Sequence, residues 1–514
     1  MIFEFELVES LPRLAWCARV RRGERVVRVL HGPWVETGGG WFVEGAWDGP
    51  FPGGDFLDAA TLLGSAGRVT DTGVSFRTAS HTLERLQYLR LGEDQVLVSN
   101  SLAFLFAEAG DGPDPQYLFY EHDLISYIDG FSHLVRRIPT RRGGAVELVY
   151  CATLQVDDAL GIVQHRPLRP RPFSDYADYL GFLRQKLAAL HQNATDPSRR
   201  RSRYTPVTTI SSGYDSPACA VLARELGCTK ALSFRKARAE DFGDVEDSGR
   251  EIGRHLGITV IEYDRQDYLK RGDYPEAEFL TMGTGGEEVI MSVLEPHLVG
   301  GILYTGYLGD RLWSRVHPAD ERTAREFHMR FPSGSSMTEF RLRVGFIHLP
   351  VAPLAFASHP SLHRISNSDE MRPWRARNPR YDRPIARRLL EEAGVPGHLF
   401  GQVKRAVTQP FYHNEPLSRI LSPRSYRDFT AYVARLVGHR NLNRASGHAL
   451  ELAVLPPVHE VHNFLNRAVT ATAGRFGLAV ATESCVPRHY RRPLTETALT
   501  FHWAHERVRP RYTA

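Results

Sequence analysis

The sequence of 514 residues predicts a mixed α/β protein in which a β-rich first part precedes a doubly wound parallel sheet and a helical end. Three observations lead to this prediction. Before residue 170, short β-like runs are broken by glycine and proline clusters, as in residues 37–40 and 49–54. Between residues 205 and 310, strand-like and helix-like runs alternate, which is typical of parallel sheets. After about residue 420 the chain reads as mainly helical, most clearly over residues 450–465 and 495–508.

The arginine- and proline-rich residues 166–172 indicate a domain boundary. We therefore expect an α+β domain over residues 1–170 and an α/β domain over residues 171–514, each long enough to bury its own core. In the second domain the strands are predicted at residues 205–210, 231–234, 258–263 and 300–304, with a helix at 245–256. The acidic residues 241–247 are interpreted as the N-terminal cap of that helix.

The composition argues against several classes of protein. Five cysteines without a C-x-x-C pair argue against a disulfide framework and against a structural zinc site. No apolar stretch is long enough to span a bilayer and no cationic apolar leader is present, so we expect a cytoplasmic protein without a membrane partner. The net charge of +5 is modest for this length, and no aromatic and basic RNA-binding module is evident.

The most informative segment is a hydroxyl- and glycine-rich turn between the first strand and a helix that begins near Pro217. Such a turn directs backbone N–H groups and a helix N-terminus at one point, which is how backbones bind phosphate. A carboxylate in this turn would be repelled by phosphate unless a cation lies between them, so the turn predicts a Mg²⁺-nucleotide. An ordinary strand-to-helix turn is the alternative. The turn consists of Ser211, Ser212, Gly213, Tyr214, Asp215 and Ser216.

A second polar segment follows the strand at residues 300–304 and contains Gly306, Tyr307 and Asp310. Because parallel strands present their functional groups at the carboxyl edge of the sheet, we expect Asp215 and Asp310 to lie there as Mg²⁺ ligands of one ATP molecule. The adenine is then expected against the backbone near Ile210 and Phe234.

Both segments carry a resemblance to a known family. The S-x-G-x-D-S spacing of residues 211–216 resembles the pyrophosphate-binding loop of the ATP pyrophosphatase (PP-loop) superfamily, with Ser212 in place of a glycine. Residues 305–310, with Tyr307 three residues before Asp310, are similar to the second segment of the asparagine synthetase-like family, and within it to that of the β-lactam and carbapenam synthetases. The family cleaves ATP to AMP and pyrophosphate while it adenylates a substrate.

The resemblance also implies roles for three further side chains. Tyr307 and Glu339 would form a pair that removes a proton from an attacking nitrogen, and Lys404 would stabilise charge on pyrophosphate and on the acyl oxygen. Residues 336–341 and 400–404 resemble the family segments that hold this glutamate and this lysine. The alternatives are a tyrosine packed on the sheet edge, an exposed ion pair between Glu339 and Arg341, and a solvated lysine.

Residues 96–107 and 138–150 resemble, more diffusely, an N-terminal glutaminase-type (Ntn-type) sandwich domain. Glutamine-hydrolysing relatives begin with Met-Cys, whereas this sequence begins Met1-Ile2-Phe3. The nearest cysteine, Cys17, lies in a strand-like run and is expected to be a small buried hydrophobe. We therefore expect a degenerate domain that does not release ammonia from glutamine.

These features predict an ATP- and Mg²⁺-dependent carbon–nitrogen ligase that adenylates a carboxylate and joins it to an amine. Its partners would be a small-molecule or peptide acid and amine, a homodimer is compatible with the sequence, and nucleic acid is not an expected partner. Two other classes stay open. One is an RNA-modifying ATP pyrophosphatase, although the paired cysteines of thiolating members are absent. The other is a non-catalytic nucleotide-binding regulator, which Ser212 and Arg311 favour.

Overall fold

The computed structural model describes residues 1–166, 170–200, 203–238, 244–317, 324–329, 331–376, 381–409, 411, 416–439 and 494–513. The helix predicted at residues 450–465 lies outside these ranges, as do parts of residues 166–172 and 241–247. The helix predicted at residues 495–508 is present. The molecule is a mixed α/β protein with both antiparallel and all-parallel sheets.

The β-rich first part contains a seven-stranded sheet in which only the β1–β3 pair is parallel. Its order is β1-β3-β2-β9-β8-β11-β10. Cys17 is buried within β2, as its apolar sequence neighbours predict. The strands are β1 Ile2–Leu7, β2 Trp16–Arg21, β3 Val26–His31, β8 Leu86–Leu91, β9 Gln95–Ser99, β10 Arg137–Pro139 and β11 Ala145–Val149.

An antiparallel six-stranded sheet completes the first part, in the order β13-β12-β7-β6-β5-β4. Side chains from both sheets share one hydrophobic core, in which Trp16 of β2 lies against Phe42 and Phe76. Shared burial of this kind is what holds two sheets face to face. The strands are β4 Glu36–Gly38, β5 Trp41–Trp47, β6 Leu62–Thr70, β7 Gly73–Arg77, β12 Thr153–Val156 and β13 Ile162–His165.

The third sheet is five-stranded and entirely parallel, as the alternating pattern predicted. Its order is β18-β15-β14-β19-β20. From β14 the chain first adds β15 and β18 on one side. It then adds β19 and β20 on the other side, so the direction of strand addition reverses between β14 and β19. Ligands of such sheets bind outside the carboxyl ends of the strands at this reversal. The strands are β14 Thr205–Thr209, β15 Lys230–Phe234, β18 Thr259–Tyr263, β19 Gly301–Thr305 and β20 Ile347–Pro350.

Helices connect and cover these strands, and α4 packs on both β14 and β19. Short 3₁₀ helices lie at Ser126–Asp129, Asp267–Lys270, Glu287–Leu294, Ala352–Ser358, Asp369–Trp374 and Arg509–Tyr512. The α-helices are α1 Leu102–Ala109, α2 Tyr120–Ile125, α3 Tyr176–Ala194, α4 Asp215–Glu225, α5 Arg250–Leu256, α6 Pro275–Leu280, α7 Glu295–Leu298, α8 Gly309–Leu312, α9 Thr338–Val344, α10 His359–Ser366, α11 Pro384–Glu392, α12 Leu417–Ile420, α13 Pro423–His439 and α14 Leu494–Val508. Among the residues described, none of the helices combines the length and apolar character that crossing a bilayer requires.

The predicted helix at residues 245–256 is wrong in its first turn. A short hairpin of β16 Lys236–Arg238 and β17 Asp244–Glu246 occupies this region, and α5 begins only at Arg250. Asp247 is therefore not a helix cap. Gly249 occupies the N-cap position without a side-chain hydrogen bond, and the carboxylate of Asp247 accepts the amide and hydroxyl hydrogens of Ser212 instead.

A buried charge cluster joins the β-rich part to α9. The Arg341 guanidinium donates to both carboxylate oxygens of Glu44, at 2.7 and 3.1 Å, and its Nε lies 2.9 Å from Glu84. All three side chains are buried, so the predicted exposed ion pair between Glu339 and Arg341 is wrong. Burial raises the pKa of Glu84 to about 7 despite the opposing charge of Arg341.

Arg341→Ala is expected to destabilise the protein strongly, because it leaves two buried carboxylates without their cation. Breaking a buried pair in this way costs about 3–5 kcal/mol of unfolding free energy. Urea denaturation followed by circular dichroism measures the change. Arg254→Ala is the matched control, since Arg254 and Glu251 form an exposed pair, and it should change stability by less than about 0.5 kcal/mol. Equal effects of the two substitutions would contradict a structural role for the buried cluster.

Candidate functional site

Two aspartates meet at the carboxyl edge of the parallel sheet, where its order reverses. Asp215 is the first residue of α4 after β14, and Asp310 lies in α8 after β19. Glycines make their approach possible. A Cβ on Gly306 would lie 2.6 Å from the backbone carbonyl carbon of Asp215, and one on Gly309 would lie 2.7 Å from its carboxyl carbon. The two loops can therefore pack this closely only without side chains at these positions.

Asp215 carries an incomplete set of partners. Its Oδ2 accepts a hydrogen bond from Nη1 of Arg383, whereas its Oδ1 is buried and has no hydrogen-bond partner. Burial raises the pKa of Asp215, with Arg383 opposing the shift and the nearby charge of Asp310 adding to it. A buried carboxylate oxygen without a partner is rare in folded proteins, and it leaves a position for a cation.

Asp310 faces a lysine across the same cleft. Nζ of Lys404 lies 3.4 Å from Oδ2 of Asp310, and both side chains remain more than 40% exposed, at 46% and 42%. Its partial burial in the cleft acts to raise the pKa of this carboxyl, but Lys404 and Arg383 outweigh that effect and lower the pKa to about 2. Asp310 is therefore ionised at neutral pH, and Lys404 supplies a positive charge directly beside the two aspartates.

The predicted phosphate loop is held by hydroxyl groups. The Oγ atoms of Ser211 and Ser216 are 3.0 Å apart, and the amide of Gly213 donates to Ser211 Oγ at 3.1 Å. Ser212 donates its hydroxyl hydrogen to Asp247 at 2.6 Å and accepts from Arg405 at 2.7 Å. The serine that replaces a glycine is thus bound to neighbouring charged side chains.

The N-terminus of α4 is open. Tyr214 occupies the N-cap position and no side chain caps the first turn. Pro217 has no N–H and the amide of Ala218 already donates to the carbonyl of Tyr214, so the amides of Asp215 and Ser216 remain available for an anion. Tyr214 itself is fully buried, and its hydroxyl accepts a hydrogen bond from Arg387 at 2.8 Å. Its ring lies against Gly401, where a Cβ would approach it to 2.2 Å.

The residues predicted to contact adenine lie at adjacent strand ends. Ile210 directly follows β14, and its amide donates to the carbonyl of Leu232 in β15 at 2.9 Å. Phe234 is the last residue of β15 and, like Ile210, is buried. Both residues therefore lie on the same sheet edge as the loop, Ile210 directly before it and Phe234 at the end of the neighbouring strand.

The two aspartates do not form a complete metal centre by themselves. Within the described ranges, no group of three or more histidine, cysteine, aspartate or glutamate side chains lies close enough to hold a metal ion. Mg²⁺ commonly uses only one or two protein carboxylates together with phosphate oxygens and water. The unpartnered Oδ1 of Asp215 and the ionised Asp310 fit an ion that arrives with a nucleotide.

The structure separates Tyr307 from its predicted partner. Glu339, in α9, is buried and accepts hydrogen bonds from Ser101 Oγ at 2.6 Å and from the Tyr512 hydroxyl at 2.5 Å. The acidic residues whose charges act on Tyr307 are Glu288 and Glu287 instead. The predicted Tyr307–Glu339 pair is thus not formed, because α9 directs Glu339 toward α1 and the C-terminal residues.

Glu288 and Tyr307 both contact Gly334. The amide of Gly334 donates to Oε1 of Glu288 at 2.6 Å, and a Cβ on Gly334 would lie 3.0 Å from the Tyr307 ring. Ser336 donates to the other carboxylate oxygen through its amide, at 3.2 Å, and through its hydroxyl. Burial and then the charge of Glu287 raise the pKa of Glu288 to about 7. Burial, with these two carboxylates, also raises the pKa of Tyr307 well above its usual range, so its hydroxyl stays protonated.

Sequence reasoning missed the side chains that complete the site. Arg383 is one of several arginines in residues 372–388, and the local sequence does not distinguish it from the others. Asp247 and Arg405 hold Ser212, and the acidic run around Asp247 was assigned to a helix cap. Glu288 has no sequence signal beyond a Glu-Glu pair after a glycine-rich turn. Neither comparison with known protein families nor comparison with curated proteins finds a match for this chain.

Proposed function

We propose that this protein is an ATP-dependent carbon–nitrogen ligase of the asparagine synthetase-like kind. It adenylates a substrate carboxylate, releases pyrophosphate and transfers the acyl group to an amine. The observation that carries the proposal is the buried, unpartnered oxygen of Asp215 beside Asp310, at the open N-terminus of α4 and at the reversal of strand order. Nucleotide sites of parallel sheets combine these features.

In the first step, a carboxylate oxygen of the acid forms a bond to the α-phosphorus of ATP, and the bond from that phosphorus to the β-phosphate bridging oxygen breaks. Asp215 and Asp310 would hold Mg²⁺, which neutralises phosphate charge and orients the leaving group. Lys404 and Arg383 add two positive charges at the same place. The first-turn amides of α4 would bind phosphate oxygens.

In the second step, the amine nitrogen forms a bond to the acyl carbon and AMP leaves with its oxygen. The nitrogen must lose a proton. Tyr307 is a poor base by itself because its hydroxyl stays protonated. It can instead relay a proton, by giving its own proton to a carboxylate while it accepts one from the nitrogen. Glu288, with a pKa of about 7, is suited to accept the proton at neutral pH. Glu288 thus replaces Glu339 in the proposed pair.

The proposal is tested by incubating the purified protein with ATP, Mg²⁺ and panels of acids and amines. AMP and pyrophosphate should form in equal amounts, only with a suitable acid, and mass spectrometry should detect an amide. Adding tRNA should not be required. Formation of ADP and phosphate, or pyrophosphate release that depends on tRNA, would contradict the proposal.

A nucleotide-binding regulator is favoured by one observation. The amides of Ser212 and Gly213 are already bound, to Asp247 and to Ser211, so fewer loop N–H groups face a phosphate. If the protein is such a regulator, calorimetry should detect ATP binding, and no combination of acid and amine should lead to pyrophosphate release.

Glutamine is expected neither to be hydrolysed nor to serve as the nitrogen donor. The described cysteines, Cys17, Cys151, Cys219 and Cys228, are all buried. Burial raises the pKa of each thiol, so none of the four presents a thiolate at neutral pH. Glutamate is assayed after incubation with glutamine, with and without ATP. Glutamate formation by the purified protein would overturn this prediction.

A further inference from the structure

A cavity lies between the six-stranded sheet and the segment that follows β20. Its empty space is about 650 Å³ when the part that is open to solvent is included. One wall comes from the ends of β7 and β11 and from the start of β6, and the other from the 3₁₀ helix Ala352–Ser358. The residues that line it are Ala60, Thr61, Arg77, Thr78, Ser80, His81, Cys151, Ala152, Phe327, Pro353, Leu354, Phe356 and Ala357.

Arg77 brings a positive charge to the lining of this cavity. It is the last residue of β7 and only 2% exposed. Its Nη1 donates to the backbone carbonyls of Phe56 and Leu57, whereas its buried Nη2 has no hydrogen-bond partner. Among the described residues, the negative charges of Asp48 and Asp58 act on it from beyond ion-pair distance, and Asp48 pairs with Lys186 instead. Burial lowers its pKa to about 10, so the guanidinium stays charged at neutral pH.

His81 adds a second donor. Its Nδ1 accepts the amide hydrogen of Leu83 at 3.3 Å, so the ring hydrogen of the neutral imidazole is on Nε2. This buried Nε2 has no partner. Burial, together with the charge of Arg341, lowers the pKa of His81 to about 3, which keeps the ring neutral. Two side chains of the lining therefore each have a buried N–H donor without a partner, and one of the two is cationic.

Two other hydroxyl groups of the lining, those of Thr78 and Ser80, already have hydrogen-bond partners. Thr78 Oγ1 donates to Ala79 and accepts from Ala152, and Ser80 Oγ accepts from Leu62. The Cys151 thiol stays protonated, because burial raises its pKa to about 12. No acidic side chain is among the described residues of the lining.

The opposite wall is apolar. The rings of Phe327 and Phe356 are stacked, with centroids 4.6 Å apart and an interplanar angle of 6°, and Pro353 and Leu354 continue the surface. A buried N–H donor without a partner is costly, and a carboxylate is a strong acceptor for the N–H of a guanidinium group. Phosphate fits less well, because a single arginine and a neutral imidazole carry too little charge for a dianion.

We propose that this cavity binds the carboxylate of a small molecule with an apolar body, with the carboxylate on Arg77 and His81 and the body against Phe356 and Leu354. One lining residue, His81, is connected to the candidate site through ring contacts. The His81 ring lies 6.2 Å from that of His348, which in turn lies 5.6 Å from the Tyr307 ring. Binding in this cavity does not depend on the proposed function. Only an effect of that binding on catalysis would depend on it.

The test uses ligand-observed NMR on the full chain with four carboxylates: benzoate, phenylacetate, 3-phenylpropionate and hexanoate. Each is compared with its uncharged primary amide. At least one carboxylate should bind, and its amide should bind about tenfold more weakly or worse, because a charge-assisted hydrogen-bonded pair is lost. Arg77→Gln should weaken the carboxylate by a similar factor.

Arg77 also donates to two backbone carbonyls, so the loss of binding in Arg77→Gln must be distinguished from a folding defect. A second variant, at a different position, makes this distinction. Ala60 is exposed at the mouth, and Ala60→Trp should block binding without disturbing the core. Ala177→Trp, at an exposed position of α3, is the matched control and should bind normally. No binding by any of the four carboxylates, equal binding of carboxylate and amide, or full binding by Ala60→Trp would each overturn the proposal.

Discussion

Asparagine at either position 215 or 310 is expected to abolish pyrophosphate release while leaving the fold intact. Both substitutions keep the side-chain volume and remove the negative charge that would hold Mg²⁺ against the phosphates. Loss of a direct metal ligand at such a site removes several kcal/mol of transition-state stabilisation, and about 4 kcal/mol corresponds to about 10³-fold in rate. Pyrophosphate release with a saturating acid substrate measures the effect.

The two variants differ in their structural risk. Asp215→Asn also removes the partner of the buried Arg383, so its stability must be checked by thermal denaturation. Asp310→Asn carries less risk, because its side chain is 42% exposed. Asp264→Asn is the matched control. Asp264 directly follows β18 at the same sheet edge and pairs with Arg235 in solvent, so turnover should be normal. Near-normal turnover of Asp310→Asn would contradict the metal assignment.

Glu288→Gln is expected to slow the attack of the amine while sparing adenylation. Loss of a general base lowers a proton-transfer step by about 10²–10⁴-fold. Tyr307→Phe, which keeps the ring and removes the hydroxyl, should act on the same step. Single-turnover kinetics that follow pyrophosphate release and amide formation separately distinguish the two steps. Lys404→Ala should slow both, since its charge lies beside Asp310 and the phosphate position.

Glu339→Gln is the matched control for this prediction. The residue is a buried glutamate of the same region, but its hydrogen bonds go to Ser101 and Tyr512. Its variant should form the amide at nearly the normal rate once correctly folded. If Glu339→Gln slows amide formation and Glu288→Gln does not, the pair inferred from resemblance is right and the pair proposed from geometry is wrong.

The pH dependence of the amide-forming step offers an independent check on Glu288. Because its pKa is raised to about 7, the carboxylate is protonated below that pH and ionised above it. The rate should therefore rise as pH increases through about 7 and become constant above about 8. The Glu288→Gln variant should lose this rise. A rate that is constant from pH 6 to pH 8 in the unsubstituted protein would exclude Glu288 as the base.

Much of the architecture around the site follows from local sequence. The β-prone residues 205–209, the short polar turn and Pro217 near the start of α4 define a strand, a loop and a helix through contacts among neighbours in the chain. The alternation of strands and helices then favours a parallel sheet, because each helix can serve as the crossover connection that parallel strands need. The positions of Asp215 and Asp310 at one edge follow from that topology alone.

The partners of the buried charges were decided only by tertiary structure. Arg383 reaches Asp215 across 168 positions of sequence, and Arg341 reaches Glu44 across 297. Glu288 and Glu339 are both buried glutamates, and the local sequence does not indicate which of them lies near Tyr307. They differ in the segments that pack against each of them in the folded chain. Local propensity carries no information about such contacts. A buried charge must nevertheless find a partner, and packing of distant elements determines which one it finds.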